Sequence, residues 1–429
     1  MEMINFAENQ EKVVDIMQQR RDFYIADEVR ETVANIVHSV QQKGDSAVRE
    51  FTARFDGIKL DEFQVSQKEI KKARKKVDSS FLTSLKKAVT SIEKFHRSQL
   101  KNSWFDSADH KLVGQQITPL KRVGTYVPGG TAAYPSSLLM TVVPAVAAGV
   151  EEIVVTTPPG QNGEINPHIL AAADEAGVGE LYKIGGAQAV AAMAFGTDSI
   201  APVDKIVGPG NIYVTAAKKM VYGTVDIDML AGPSELLVLA DESGNPDYIA
   251  ADLLSQAEHD PRAVSAMITT SRKLAGKVEQ AVSERIERLS RREIAAASWE
   301  DNGLLIVVED LQTGIKLVND FAPEHFELVV EEPFAYLGEI KNAGAIFVGE
   351  YSSEPLGDYM AGPNHVLPTG GTARFSSPLH TEDFIKKSSI IYYGQQGIAD
   401  EGADVERLAR LEGLDGHAEA VKIRGENCR

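Results

Sequence analysis

Cysteine is almost absent from this chain of 429 residues, in which the single example is Cys428. A framework of disulfides within one chain is therefore excluded, as is a zinc site built from cysteine thiolates. Any bound metal must be held by histidine, carboxylate or amide-oxygen ligands. A low cysteine content is typical of the reducing cytoplasm, which is the location that we expect.

Long hydrophobic runs and an excess of positive charge are also lacking. The longest apolar stretch, residues 138–155, is interrupted by Pro144, Gly149 and Glu151, so no membrane span is expected. The first residues have neither a basic nor an apolar segment of the kind that a signal peptide needs. Because the net charge is −18, neither nucleic acid nor an anionic membrane is an expected partner.

The pattern of apolar residues predicts an α/β protein with more than one domain. The chain is too long for a single core, and its 43% hydrophobic and 25% charged residues are ordinary for a globular enzyme. From residue 128 onward, short β-branched runs alternate with helical segments, which predicts parallel sheets covered by helices on both faces. These fall into two units at about 128–235 and 236–378, between a helical first hundred residues and a small C-terminal unit of short helices.

Three segments are expected near the carboxyl ends of strands, where doubly wound sheets bind their ligands. They are Gly185–Gly186, Gly208–Asn211 and Gln256–His259. The sequence Gly-Pro-Gly-Asn at 208–211 fits either an anion-binding helix N-terminus or merely a tight turn. No clean Gly-x-Gly-x-x-Gly dinucleotide motif is present.

Gln256 and His259 are candidate metal ligands because residues three apart share one face of a helix. Asp358 and His417, each in a Gly-rich segment, complete a set of two imidazoles, one carboxylate and one amide oxygen. Such a set suits Zn²⁺, Mn²⁺ or Co²⁺. The alternative is that these four residues are ordinary polar surface residues.

Glu324 and His325 form a candidate acid–base pair that follows Pro323 and precedes a strand. An adjacent carboxylate and imidazole can exchange protons near neutral pH. The alternative is a solvated glutamate beside a histidine that interacts with a helix C-terminus.

Several spaced motifs run in the same order as in one known family. They are Tyr126-Val-Pro-Gly-Gly, Gly185-Gly-Ala-Gln188, Val207-Gly-Pro-Gly-Asn211, Ala231-Gly-Pro-Ser-Glu235, Leu254-Ser-Gln-Ala-Glu-His259, Ala322-Pro-Glu-His325, Gly357-Asp358, Gly362-Pro-Asn-His365 and Glu412-Gly-Leu-Asp-Gly-His417. With these motifs the chain closely resembles the histidinol dehydrogenase family.

The resemblance implies oxidation of L-histidinol through L-histidinaldehyde to L-histidine, with reduction of two NAD⁺. It implies one Zn²⁺ per subunit and an intertwined homodimer in which the C-terminal segment completes the partner's site. Each implied role is assigned to matching positions: catalysis to Glu324 and His325; NAD binding to Tyr126, Gln188 and Asn211; zinc binding to Gln256, His259, Asp358 and His417; and substrate contact to Ser234, Gln256, His259, His325, Asp358, Glu412 and His417.

The resemblance also implies two side-by-side, incomplete Rossmann-like (doubly wound) domains with small helical segments at both termini. The expected division is an N-terminal helical segment at 1–22, a domain of 23–125 plus 236–378 with the zinc and catalytic residues, an NAD-binding domain at 126–235 and a dimer-exchanged domain at 379–429.

Three rival functions remain open from the sequence. A relative could act on another small polar alcohol, although Glu412 and His417 suit a cationic amine and a metal-bound imidazole. A zinc hydrolase could use Glu324 to activate water without NAD. A non-catalytic nucleotide-binding protein would have no need of Glu324, His325 and the ligand set.

Overall fold

The computed structural model describes residues 3–20, 25–108, 110–129 and 133–426, so Cys428 and Gly130, the last residue of the motif that begins at Tyr126, lie outside the described residues. Its strands are β1 (Met3–Asn5), β2 (Trp104–Ala108), β3 (Lys111–Pro119), β4 (Arg122–Tyr126), β5 (Glu152–Thr156), β6 (Glu180–Tyr182), β7 (Lys205–Val207), β8 (Asp226–Ile227), β9 (Glu235–Ala240), β10 (Val264–Thr269), β11 (Leu304–Val307), β12 (His325–Val329), β13 (Ala345–Val348) and β14 (Ile385–Tyr393).

The helices are α1 (Gln10–Gln19), α2 (Asp27–Lys43), α3 (Asp45–Phe55), α4 (Gln67–Arg74), α5 (Ser79–Arg97), α6 (Pro135–Ala148), α7 (Pro167–Glu175), α8 (Gly186–Phe195), α9 (Ile212–Val221), α10 (Pro246–Ala257), α11 (Arg272–Ile286), α12 (Arg292–Asn302), α13 (Leu311–Phe321), α14 (Pro333–Tyr336), α15 (Glu354–Leu356), α16 (Gln395–Leu411) and α17 (Asp415–Glu426). A π-helical turn follows α15 at Gly357–Ala361. None of the described helices is both long and apolar enough to cross a membrane.

Two parallel sheets form the body of the protein, which confirms the predicted α/β class. One has six strands in the order β1-β11-β10-β9-β12-β13, and the other has five in the order β6-β5-β4-β7-β8. Every residue of the central strand β9 is buried. This strand lies between two apolar clusters, one with α1 and α13 and the other with α10, α11 and α12. Burial on both faces explains why the strand is a continuous apolar run.

The predicted division placed residues 23–125 in one domain with residues 236–378. The helices of the first hundred residues pack differently. Helices α2 and α3 share an apolar cluster with α8 and α9, and α4 and α5 share another with α6 and α7, so all four cover the five-stranded sheet. Strand β1 and helix α1, by contrast, join the six-stranded sheet, since β1 pairs with β11. The apolar stripe of an amphipathic helix shows that it is covered but not by which sheet.

A third, antiparallel sheet carries the C-terminal segment. Strand β14 pairs along its whole length with β3, which also pairs with β2, and α16 and α17 follow β14. The prediction of short helices alone in the last fifty residues was therefore wrong. Large apolar side chains are exposed along this segment, among them Ile391, Leu408 and Leu411 at 71%, 62% and 79% of their full exposure.

Candidate active site and nucleotide cavity

The candidate catalytic residues gather at the amino edge of the six-stranded sheet. His325 is the first residue of β12 and lies opposite Leu236 in the register with β9. Gln256 and His259 reach the same edge, because α10 runs back from the carboxyl end of β9 and its last turn precedes β10. The prediction that the Gln256–His259 segment lies at a carboxyl edge was therefore wrong.

His325 is held as a neutral base. Its Nδ1 lies 3.0 Å from the Glu235 carbonyl oxygen, and a carbonyl only accepts hydrogen bonds, so Nδ1 carries the proton. The other ring nitrogen, Nε2, is buried without a hydrogen-bond partner and carries the lone pair. Burial, with smaller contributions from the nearby imidazoles of His365 and His259, lowers the pKa of His325 to about 4, although the hydrogen bond to Glu235 opposes this shift. Near neutral pH, Nε2 is therefore ready to accept a proton.

Glu324 is fixed by the same neighbouring residue. The Glu235 backbone N–H donates to Glu324 Oε2 at 2.8 Å, so the main chain of one residue orients both members of the pair. Burial raises the pKa of Glu324 well above its usual value, and the charge of Glu235 raises it further. The Glu235 carboxylate is itself buried and pairs with Arg20 and with the Gly370 N–H. A positive charge brought close to Glu324 would favour its ionised form.

Asp358 faces His325 from the π-helical turn. Its Oδ1 lies 3.9 Å from His325 Nε2 and 3.7 Å from His365 Nδ1, and has no hydrogen-bond partner. Glu354 lies beside it, 3.9 Å from His325 Nε2, and accepts from the Ser255 hydroxyl at 3.0 Å. Burial raises the pKa of Asp358 to about 6. Burial, together with the charge of Asp358, raises the pKa of Glu354 to about 8. Such crowded carboxyl groups are stabilised by a cation.

A metal ion fits the donor atoms on this edge. Gln256 is buried and its side-chain oxygen has no hydrogen-bond partner among the described residues, so this oxygen is free to coordinate a cation. His259 lies two residues beyond the end of α10, exposed at the rim, and partial removal of its hydration lowers its pKa. Among the described residues, the group of three His, Cys, Asp or Glu side chains close enough to share one ion is His325, Glu354 and Asp358, with ligand atoms within 4.8 Å of one another. Asp358 is common to this group and to the predicted ligand set.

Glu412 and His417 lie apart from these residues within one chain. Glu412 follows α16, His417 lies in the first turn of α17, and both are exposed. No hydrogen bond, ion pair or shared ligand group joins either side chain to Asp358 or His325 in the described part of the chain. Ser234 lies next to Glu235, immediately before β9.

A cavity of about 1080 Å³ brings together all three residues predicted to bind NAD. Tyr126, Gln188 and Asn211 line it at the carboxyl edge of the five-stranded sheet. The Tyr126 hydroxyl accepts from the Gly186 N–H at 3.1 Å, and the side-chain oxygen of Gln188 is buried without a partner. An open, partly polar cavity of this size is typical of a site for a large organic ligand.

The Gly208–Asn211 segment forms a tight turn that ends at the wall of this cavity. Gly208 has φ +114°, and a Cβ there would lie 2.2 Å from the Tyr126 carbonyl oxygen, so the tight turn requires glycine. Asn211 lines the cavity at the start of α9, but its side chain already accepts from the Tyr213 and Val214 N–H groups. The amide nitrogen of Asn211 remains available to a ligand.

Known proteins match this arrangement over almost the whole chain. The family model described as histidinol dehydrogenase matches residues 19–425. This chain belongs to the histidinol dehydrogenase family. Histidinol dehydrogenases from Clostridium acetobutylicum and Bacillus subtilis are each 53% identical to it, over 92% of both chains and 93% of both chains respectively. The crystal structure of histidinol dehydrogenase from Elizabethkingia anophelis superposes with a TM-score of 0.93 at 36% identity, covering 99% of this chain and 97% of that one.

Sequence reasoning missed several site residues of this family member. Glu235, Glu327 and Glu354 are buried carboxyl groups beside the candidate pair Glu324 and His325, and Glu327 accepts a hydrogen bond from the Glu354 N–H at 3.0 Å. Glu235 and Glu327 lie in strands and Glu354 is the first residue of a short helix. The local sequence does not distinguish them from ordinary residues of such elements. Their proximity follows from the pairing of β9 with β12, which no local pattern reveals.

Proposed function

We propose that this chain oxidises L-histidinol to L-histidine through L-histidinaldehyde, with NAD⁺ as the oxidant, in histidine biosynthesis. The observation that carries the proposal is the buried Glu324–His325 pair beside donor atoms without partners, in a member of the histidinol dehydrogenase family. The cavity lined by Tyr126, Gln188 and Asn211 supports NAD as the cofactor.

His325 serves as the base for the alcohol. Its unprotonated Nε2 accepts the hydroxyl proton as hydride leaves the carbinol carbon, and the Glu235 carbonyl stabilises the imidazolium that results. NAD⁺ supplies the hydride acceptor for this step and for the next one.

Glu324 serves the aldehyde. Its carboxylate accepts a proton from water as the water oxygen adds to the carbonyl carbon, and return of that proton to the former carbonyl oxygen gives the hydrate. Loss of a second hydride and one proton from the hydrate gives the carboxylic acid. Two hydrides leave per substrate, so two NADH are formed. The Glu235 N–H holds the Glu324 carboxyl in place for this work.

We propose Gln256, His259, Asp358 and His417 as the ligands of one Zn²⁺ per subunit. The buried, unpartnered oxygens of Gln256 and Asp358 support this assignment. Bound Zn²⁺ would supply an anchor for the nitrogen atoms of the substrate, which fixes the reacting carbon. Ser234 and Glu412 would contact the substrate, with the Glu412 carboxylate matched to its ammonium group.

We further propose a homodimer in which the segment 379–429 of each chain completes the site of the other. The exposed positions of Glu412 and His417, together with the exposed apolar side chains of β14 and α16, support this arrangement. The zinc and catalytic residues would then belong to the body around the six-stranded sheet, and the NAD site to the body around the five-stranded sheet.

The stoichiometry of the reaction tests the proposal. The purified protein is incubated with limiting L-histidinol and excess NAD⁺, and NADH, histidine and free aldehyde are measured. Two NADH per histidinol, with no free aldehyde, are expected. One NADH with accumulation of aldehyde would contradict the coupled oxidation, and no NADH at all would favour a hydrolase or a non-catalytic protein.

A further inference from the structure

The nucleotide cavity has carboxylates but no cationic side chain in its described lining. Asp56 and Glu164 line it, and neither lysine nor arginine does so. Helices α7, α8 and α9 all begin at its wall, so the positive ends of three helix dipoles face the space. The cavity therefore offers backbone dipoles to a diphosphate and no side-chain partner to a further phosphate group.

Asp56 is the carboxylate without a partner in this wall. It caps the C-terminus of α3, and its Oδ2 is buried with no hydrogen-bond partner. Burial raises its pKa to about 6, and no cationic side chain of the described residues offsets this rise. Tyr126 lines the same cavity. Burial, together with the charge of Asp56, raises the pKa of Tyr126 to about 12.

Glu164 differs from Asp56 in both exposure and pairing. Its side chain is 60% exposed and its carboxylate lies 3.8 Å from Lys76 Nζ. Solvent and this lysine already satisfy the Glu164 carboxylate, whereas one carboxylate oxygen of Asp56 is buried and has no hydrogen-bond partner among the described residues.

None of the proposed catalytic or zinc-binding residues lines the cavity, so it fits the adenosine half of the dinucleotide. A carboxylate near the ribose of a bound dinucleotide accepts hydrogen bonds from its hydroxyl groups, whereas a 2′-phosphate needs a cation there. We infer that Asp56 accepts a hydrogen bond from the adenosine ribose and repels a 2′-phosphate, and that it thereby selects NAD over NADP. This inference rests on the proposed function and adds the residue that determines cofactor specificity.

Substitution of Asp56 by its uncharged isostere tests the inference. Asp56→Asn should raise KM for NAD about tenfold, because a neutral acceptor binds a hydroxyl more weakly than a carboxylate does. It should also raise kcat/KM for NADP, so the NAD-to-NADP ratio of kcat/KM should fall at least about tenfold. At saturating NAD, kcat should be retained, since Asp56 does not touch the reacting atoms.

Asp61→Asn is the matched control, a removal of an exposed carboxylate five residues further along the same segment. It should leave both KM values and their ratio unchanged. An unchanged ratio in Asp56→Asn, or an equal change in Asp61→Asn, would overturn the inference. If Asp56→Asn gives little folded protein, Asp56→Ser is measured in the same way, with the thermal midpoint as the check on folding.

Calorimetric titration with ADP-ribose and its 2′-phosphate separates this inference from the proposed function. Neither titration needs histidinol or turnover. Wild type should bind ADP-ribose more tightly than its 2′-phosphate. In Asp56→Asn, the ratio of the two dissociation constants should be at least about tenfold smaller. If the chain makes NADH from histidinol but the ratio of dissociation constants is unchanged in Asp56→Asn, the specificity role of Asp56 is wrong and the proposed function is unaffected. Absence of ADP-ribose binding to wild type would also overturn the specificity role.

Discussion

Complementation between two inactive variants gives the sharpest test of the shared site. Glu324→Gln removes the proposed proton acceptor from the body of the protein, and His417→Ala removes a proposed zinc ligand from the C-terminal segment. Each homodimer should form histidine very slowly at steady state, because every site then carries one defect. In a heterodimer with exchanged segments, one site carries both defects and the other carries none.

The expected magnitude follows from the geometry of exchange. Random association at equal concentrations makes half of the dimers heterodimers, and each has one sound site of two. About one quarter of wild-type activity should therefore return on co-expression or on refolding the mixture. The double variant Glu324→Gln/His417→Ala, mixed with the Glu324→Gln chain, provides the control and should recover nothing, because no sound site can form.

Differently tagged chains allow the heterodimer to be purified and its mass to be measured before the assay. A confirmed heterodimer without activity would refute the exchange, since a segment that folds back onto its own chain leaves one defect in every site. That outcome would leave the zinc and NAD assignments untouched. Zinc analysis of the same heterodimer should find one strongly held ion per dimer instead of two.

Three further perturbations have defined outcomes. Glu324→Gln should slow the second oxidation by about 10²- to 10⁴-fold and leave the first hydride transfer within a few-fold in single-turnover measurements; an equally slowed first transfer would contradict the division of labour. Asp358→Ala should lose zinc on dialysis while the exposed control Asp404→Ala retains it; full occupancy in Asp358→Ala would remove that residue from the ligand set. Burial lowers the pKa of His325 from 6.5 to about 4, so between these pH values the imidazole is protonated in the unfolded chain but not in the folded one. The free energy of unfolding of the metal-free protein should therefore fall, as the pH is lowered through this interval, by up to about 1.4 kcal/mol per pH unit. Urea unfolding of His325→Gln at several pH values should lose this share of the slope, whereas His168→Gln, at an exposed position, should keep it.

Much of the fold could be predicted from local pattern. The alternation of β-branched runs and helices after residue 128 predicted the two parallel sheets. Strand β14 was missed because it is exposed or half-buried along its length, so it lacks the alternation that marks a strand. Strand β1 was missed because its three residues pair with β11, about three hundred positions away.

The candidate site was predictable in a different way. The Pro-Glu-His sequence drew attention to Glu324 and His325 on chemical grounds, whereas the roles of Tyr126 and Gln188 came only from family resemblance. The unprotonated Nε2 of His325 could not be predicted at all, because it follows from a carbonyl on a neighbouring strand. Sequence identifies the chemical groups, but pairing between distant segments sets their protonation.

The Glu235 main chain forms hydrogen bonds with both Glu324 and His325, and this has a consequence for how the enzyme folds. The two hydrogen bonds join residues 89 and 90 positions apart, across the parallel pair β9 and β12. Parallel pairing between such distant segments is slow, because the intervening chain must first be ordered. The acid–base pair therefore comes into being only when the sheet closes in its correct register, and a slip by one residue would turn His325 to the opposite face. Activity should therefore be regained during refolding only after the six-stranded sheet has formed, and partly folded chains should have no activity.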